Sequence, residues 1–478
     1  HTWLRRQRQM CIRDRISRDG VGNRTYYFAK YITGLDFFTA TEHSTKVEDV
    51  YGINQEEWAQ LQSEVIAFNE PDRFISFFGF ETSYGAPAGH YNFIFNFADS
   101  NFNLIPNMPR QFFPSMASAW EALDTLNELI DVITIPHHTG KRFNRFLPSG
   151  NATTFGGSFH KPAYKTSIEI YSTHGLSESF DRGHNLSYSS NNPSTGEEDG
   201  PHYAQDAWAI GEKLGVIASS DNHAGFPAQN NEGVTAVYAP NLDRTPIFDA
   251  VVNRNTYGTT GERMIINFKV NDALMGDELS LNYGDKVDIS YFIKGTDALH
   301  KVEVLKWDFT YGNYVSGHPK FEVIYTEDFN GTDVDFTSVS FQDSIYTDSC
   351  MYYLRVKQQG LAGGHEIWGW SSPVWVSVPD APTPVFQDLN ELLEATLMPS
   401  IGKEGDNLNL VVNIDREVLL RITIYDARGR MMYKEMLHSN VGENNNLLPT
   451  ENLSSGAYYL SLFSLEENAI LTIPFIIQ

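Results

Sequence analysis

Apolar residues in the first half of the chain come in short runs, and five of those runs break off into a histidine or a carboxylate. Phe37-Phe38-Thr39-Ala40 leads into Thr41-Glu42-His43, Phe77-Phe78-Gly79-Phe80 into Glu81, and Val132-Ile133-Thr134-Ile135 into Pro136-His137-His138. Ile168-Glu169-Ile170-Tyr171 leads into Ser172-Thr173-His174, and Val216-Ile217-Ala218 into Ser219-Ser220-Asp221-Asn222-His223. Runs of this length predict buried strands, each carrying metal-capable side chains at its C-terminal end. Residues two apart on an extended chain share a face, so Asp221 and His223 are expected to address one point while Asn222 points away.

Helical spacing fills the gaps. Asn54-Gln55-Glu56-Glu57 resembles a capping box, and Trp58, Leu61, Val65 and Ile66 follow on one helical face. Ala119, Leu123, Leu126 and Ile130 form a second face; Tyr203 to Lys213 and Thr245 to Val252 read as further helices. A Gly/Pro-rich loop, Tyr84 to Asn92, carries His90 just before another apolar run. Alternating strand and helix predicts parallel strands with crossover helices. The expected fold class is α/β: a distorted TIM-like β/α barrel over residues 17–262, with its strand ends converging on one face.

The pattern changes after residue 262. Alternating runs such as Val287 to Ile293 and Tyr352 to Lys357 predict a β-sandwich module over 263–378. Three prolines within 379–384 mark 379–396 as a linker. Strand-turn-strand pieces over 397–478 predict a small C-terminal β-sandwich.

At 478 residues, with 41% hydrophobic and 13% aromatic content, the chain can build two or three cores. A net charge of -25 excludes a nucleic-acid surface, which needs clustered Lys and Arg. Two cysteines, Cys11 and Cys350, exclude a disulfide framework and a Cys-based zinc site, so His and carboxylates must hold any metal. No apolar run is long enough for a membrane-spanning helix and no signal peptide is recognised. Residues 1–16 are basic, lack an apolar face and resemble translated adapter sequence, so they are expected to be non-native, with the natural start missing ahead of His1.

Ten of the fourteen histidines lie before residue 224. His43, Glu81, His90, His137, His138, His174, Asp221 and His223 are too many for one tetrahedral ion and suit two or three divalent ions, zinc, manganese or iron, with Glu81 as the bridging carboxylate. Glu169 is a candidate partner orienting a liganding histidine. His138 and Arg142 are the candidate catalytic residues; Arg142, or Lys141 beside it, would neutralise substrate charge. His160, His184 and His202 are read as structural, and Trp368, Trp370 and Trp375 as core in preference to sugar-stacking.

At these residues the chain resembles the PHP (polymerase and histidinol phosphatase) superfamily, and more closely the PHP-like domain-of-unknown-function family 3604. The carrying pieces are Thr41-Glu42-His43, Gly79-Phe80-Glu81, Gly89-His90-Tyr91-Asn92, Pro136-His137-His138, Glu169 to Gly175, Ser219 to His223 and Asn255 to Arg263, within about 17 to 380. The resemblance implies a seven-stranded β/α barrel, a two- or three-metal centre and phosphoester hydrolysis. The superfamily's opening His-x-His is absent, which implies missing ligands and impaired activity. Tyr425-Asp426 with Gly429-Arg430, and Leu453-Ser454-Ser455-Gly456-Ala457-Tyr458, resemble the C-terminal sorting domain of type IX secretion substrates.

The expectation is therefore a phosphoesterase that engages secretion machinery and is secreted or held at the outer-membrane surface of a didermic bacterium. A glycan-binding surface protein on a retained scaffold, and a metal-dependent amide or lactone hydrolase, are the alternatives.

Overall fold

A computed structural model describes residues 23–44, 55–97, 114–125, 130–142, 153–191, 196–223, 225–229, 232–310, 312–315, 318–345, 347, 349–379, 387–388, 393–403, 407–415, 418–427, 431–450, 453–464 and 469–478. The segment 1–16, the place of the absent His-x-His and most of the 379–396 linker lie outside the described residues. Described residues fall into two compact units, 1–307 with 322–379, and 308–321 with 380–478.

The first unit is built on four strands in sequence order: β1 (Phe37–His43), β2 (Ile75–Gly85), β3 (Gly89–Asn96) and β4 (Asp131–His137). Their runs do not alternate because both faces are covered. On one face the helix Gln55–Phe68 lays Trp58, Leu61 and Val65, and the helix Met116–Asp124 lays Met116, Ala119, Trp120 and Leu123, against Phe38, Phe78, Phe80, Phe93 and Phe95. Ser115 starts the second helix by accepting the Ser118 amide. On the other face Ile247, Phe248 and Val251 of the helix Arg244–Val252 meet Phe37, Ile75, Phe77, Ile94, Ile133 and Ile135.

The expected TIM-like β/α barrel is not what the chain forms. Among the described residues strands far outnumber helices, they lie in several separate sheets, and none closes into a barrel. β1 and β2 are parallel, but β2–β3 and β3–β4 are antiparallel. Only residues 86–88 separate β2 from β3, whereas a parallel crossover needs roughly a dozen residues or more; a Gly/Pro-rich link that short can make only a hairpin.

A second parallel pair joins Ser167–Ser172 to Gly215–Ala218. Beyond it one long sheet runs from Val234–Val237 through Thr256–Thr259, His365–Ser371 and Ser349–Ala362 to Leu299–Asp308 and Glu322–Asp328. Residues 17–262 and 263–378, distinct in sequence pattern, thus share a sheet. In the second unit two sheets enclose one core of Leu393, Leu408, Leu410, Val412, Leu420, Ile422, Leu460 and Leu462. No described helix is long and apolar enough to cross a membrane.

Candidate metal centre

Strand register assembles the first half of the site. In the β1–β2 ladder His43 stands opposite Glu81; in β2–β3 Glu81 stands opposite Asn92 and Ser83 opposite His90; in β3–β4 His90 stands opposite His137. Directly opposed residues share a face with Cβ atoms about 5 Å apart, so one face gathers every ligand around Glu81. His43 Nε2 lies 3.2 Å from Glu81 Oε2, His90 Nδ1 2.9 Å and His137 Nε2 3.6 Å from Glu81 Oε1. β1 can approach β2 this closely because residue 79 is glycine: a Cβ there would stand 2.7 Å from the Phe93 carbonyl oxygen and 2.9 Å from Thr39 Oγ1.

The second half comes from turns. β4 ends at His137, and His138 follows in the left-handed region at φ 35°. Asp221, beyond the strand end at Ala218, is left-handed too, at φ 45°. Such values are uncommon for residues with a Cβ and gather at functional sites. His138 Nε2 lies 3.8 Å and His174 Nε2 3.1 Å from Asp221 Oδ2.

Two groups of ligand atoms result, each within 4.8 Å throughout: Glu81, His90, His137 and His138, and His138, His174 and Asp221. His138 belongs to both. Ligands sharing a tetrahedral ion at bonds of about 2.1 Å sit about 3.4 Å apart, which the 2.9–3.8 Å separations match. His43 Nε2, Glu81 Oε2, His137 Nε2 and Asp221 Oδ2 are buried without a hydrogen bond. Buried polar atoms are ordinarily hydrogen-bonded; these meet only one another, His43 Nε2 against Glu81 and Asp221 Oδ2 against His174, an arrangement that fits divalent ions. Hard and borderline donors, imidazole and carboxylate, suit zinc, manganese or iron.

Electrostatics divide the imidazoles: burial would lower His137, but the Glu81 carboxylate outweighs it and raises that ring. Burial pushes His90 down to about 4, against the pull of Glu81. Burial, with the charges of His137, His90, Lys141 and His174, holds His138 well below the ordinary imidazole value. Both rings are therefore neutral, as ligation requires. Burial alone would raise the Glu81 and Asp221 carboxyls; the charges of His43 and His137 on Glu81, and of His174 on Asp221, outweigh it and hold both low and ionised.

Around these ligands, the Asn92 amide nitrogen Nδ2 donates to His137 Nδ1 at 2.9 Å and so orients the ring. Glu169, fully buried, accepts the His138 amide at 3.1 Å and the Ser219 hydroxyl, tying the two turns together. It holds the His138 backbone and not an imidazole ring. Asn92 shares a strand face with His90, a spacing of two that the sequence displays.

Other candidates fall elsewhere. His223 is exposed at the rim, its ring centroid 6.5 Å from that of His43 and 6.2 Å from that of His174. The spacing-of-two rule holds only on a strand, and the strand has ended by Asp221. Arg142 gives its guanidinium to Glu198 in two 2.7 Å hydrogen bonds, while its neighbour Lys141, buried, places Nζ 2.6 Å from His174 Nδ1. His160 pairs with Glu212, and His202 Nδ1 lies 2.8 Å from the Thr153 carbonyl oxygen. Trp368, Trp370 and Trp375 are buried at 7%, 0% and 4% exposure, so none offers a face to a sugar.

Residues 405–477 match the family described as Secretion system C-terminal sorting domain. The protein is thus secreted or held at the cell surface, and its C-terminal unit is the part suited to engage secretion machinery. Residues 228–288 match the family described as Protein of unknown function (DUF3604). An uncharacterized protein of Chlamydia pneumoniae is 25% identical over 361 residues, 70% of this chain and 52% of its own length. One from Chlamydia trachomatis serovar D is 24% identical over 364 residues, 72% of this chain and 52% of its own. The chain spans about half the length of these curated relatives. A solved trypsin-activated alpha-2-macroglobulin from Escherichia coli is similar over 45% of this chain and 16% of its own, at 13% identity and a TM-score of 0.17, too low to bear on the fold.

Proposed function

We propose that this is an exported metal-dependent phosphoesterase whose site chemistry is that of the PHP superfamily. One observation carries the reading: two groups of His and carboxylate ligands, buried except for the partly exposed His174, that meet at His138. Divalent ions held there supply an activated water and a clamp on phosphoryl oxygens. The chain's own contribution is placement. Glu81 anchors His43, His90 and His137 through strand register, Asn92 orients the His137 ring, and Glu169 fixes the turn that presents His138 to both groups. Asp221 and His174 complete the second group. The buried tryptophans weigh against the glycan-binding alternative.

Elemental analysis of the purified protein, paired with hydrolysis of an aryl phosphate, a lactone and an amide after metal reconstitution, tests the reading. The expected result is at least one tightly held divalent ion per chain and turnover of the phosphate ester that a chelator abolishes. A metal-free protein would overturn it, and turnover of only the lactone or amide would move the activity to that class.

A further inference from the structure

We propose that an exposed apolar sheet face of the C-terminal unit, centred on Tyr459 and Ile476, is where the secretion machinery docks, and that the partner there is an apolar protein surface without net negative charge. This face lies in the sorting unit and owes nothing to the phosphoesterase reading.

Strand register puts the face together. In the sheet that holds Val418–Asp426, Gly456–Ser464 and Ala469–Ile477, the side chains of Leu420, Ile422, Leu460, Leu462, Phe475 and Ile477 enter the core. Alternation then sends their neighbours outward. Ile476 stands opposite Ala457 on one side and Ile401 on the other, and Tyr459 stands opposite Pro474. Five adjoining outward positions thus carry apolar side chains. Ile401 is 53%, Ile476 45% and Tyr459 46% exposed, and Ala457 and Pro474 are exposed as well.

Further along the same strands the face is closed by the chain itself. Thr423, Ser461 and Phe463 also point outward, yet all three are buried. The Arg421 guanidinium lies 4.6 Å from the Phe463 ring centroid and donates to the Thr310 carbonyl at 2.8 Å. Thr310 belongs to the segment 308–321 of this unit, in which Asn313–Val315 and His318–Lys320 form a hairpin. One end of the face has its cover, and the Tyr459 end is open.

Contiguous apolar surface on a folded protein marks a contact site, and the chemistry selects the occupant. A strand added along the edge of Ala469–Ile477 is disfavoured by Pro474, which brings no amide donor. A second copy is disfavoured by the net charge of -25, which sets like against like. What fits is a non-acidic partner that meets the face. The sorting-domain match spans 405–477 and takes in Ala457, Tyr459, Pro474 and Ile476. Tyr459, a large rigid ring with a polar tip, is the kind of side chain that anchors protein contacts. On the unit's other sheet Leu447 is 67% exposed, but it stands opposite Asn409, whose amide donates to Asn445, so its surroundings are polar.

The test follows the whole chain, delivered by a fused signal peptide to the periplasm of a didermic bacterium that has a type IX system, and reads the fraction reaching the surface or medium. Tyr459→Glu and Ile476→Glu are compared with wild type and with Leu447→Glu. All three positions are exposed, so melting temperatures should match that of wild type. Expected are export lowered by about tenfold or more in Tyr459→Glu and Ile476→Glu, with protein accumulating in the periplasm, and near-wild-type export of Leu447→Glu. Wild-type export of the two face variants overturns the inference, and so does an equal loss in all three. Should the variants unfold, a photo-crosslinking benzoylphenylalanine in place of Tyr459 keeps the ring, and one in place of Leu447 is its control. An adduct from position 459 with an outer-membrane component of the export apparatus supports the assignment. Adducts only with another copy of the chain, only from position 447, or none at all overturn it. Wild type that itself stays in the periplasm removes the sorting reading along with the inference, while aryl phosphate hydrolysis by the same protein is untouched by either result.

Discussion

The two ligand groups are built by different means. The Glu81 group, apart from the shared His138, stands on the hydrogen-bonded strands β2, β3 and β4 with His43 of β1 beside it, and these residues face one another because the ladder sets them in register. The Asp221 group stands on turns, with both Asp221 and His138 in the left-handed region. A ladder distributes the cost of holding a ligand over many backbone hydrogen bonds, whereas a turn concentrates it in one or two residues. The first group should therefore be rigid and tied to the stability of the unit, the second adjustable and separable from it.

His138→Gln tests the junction and has the largest expected effect: metal lost from both groups and hydrolysis down by well over 100-fold, beyond the roughly 10–100-fold that outer-shell changes cost. Retention of full metal in that variant would show that the groups do not share it.

Glu81→Gln against Asp221→Asn comes next. Glu81→Gln should destabilise the chelated protein by about 3 kcal/mol, as breaking a buried ion pair does, besides costing metal. Asp221→Asn should cost metal with a smaller loss of stability, because Asn tolerates the left-handed conformation as Asp does and the partner His174 is partly exposed. Denaturant titration of the two chelated variants separates them, and equal losses would erase the contrast drawn between ladder and turns.

Acid sharpens the same comparison. Both carboxyls are held below their ordinary range in the folded chain, so each contributes stability that is present above about pH 4 and is lost as pH falls toward the folded value. The chelated wild type should lose denaturant resistance between about pH 5 and about pH 2. Glu81→Gln should show a shallower fall over that window; an unchanged slope would mean that Glu81 is not an ionised partner of His43 and His137.

Smaller effects follow outward. Asn92→Ala should lower metal affinity by about 10–100-fold while leaving the ladder intact, read by competition with a chelator. Arg142→Ala should change stability by no more than about 1 kcal/mol, as a partly exposed ion pair contributes, and should leave the aryl phosphate rate near wild type. A large fall in rate would return Arg142 to the site.

Much of the centre was legible as a string of residues. An apolar run ending in His or Glu is a local pattern, and β1, β4 and the strand before His174 begin and end close to where their runs do, whereas β2 and β3 take in most of the Tyr84–Asn92 stretch expected to be a loop. Asn92, two residues after His90, carried a readable signal that its amide chemistry did not advertise.

What the sequence by itself determined was where strands lie, which side chains stand at their ends, and that the C-terminal unit is a sorting module of an exported protein. What only the tertiary structure decided was how the strands pair. Apolar runs look alike whether a strand is parallel or antiparallel, since both are buried on two faces here; the three-residue link at 86–88 makes a hairpin, so β2 and β3 are antiparallel in a fold expected to be parallel. Tertiary structure also decided that Asp221 enters the centre while His223 stays at its rim, and that Lys141 turns inward while Arg142 pairs with Glu198. Those choices depend on backbone dihedrals beyond a strand end and on partners distant in sequence, which local spacing does not encode.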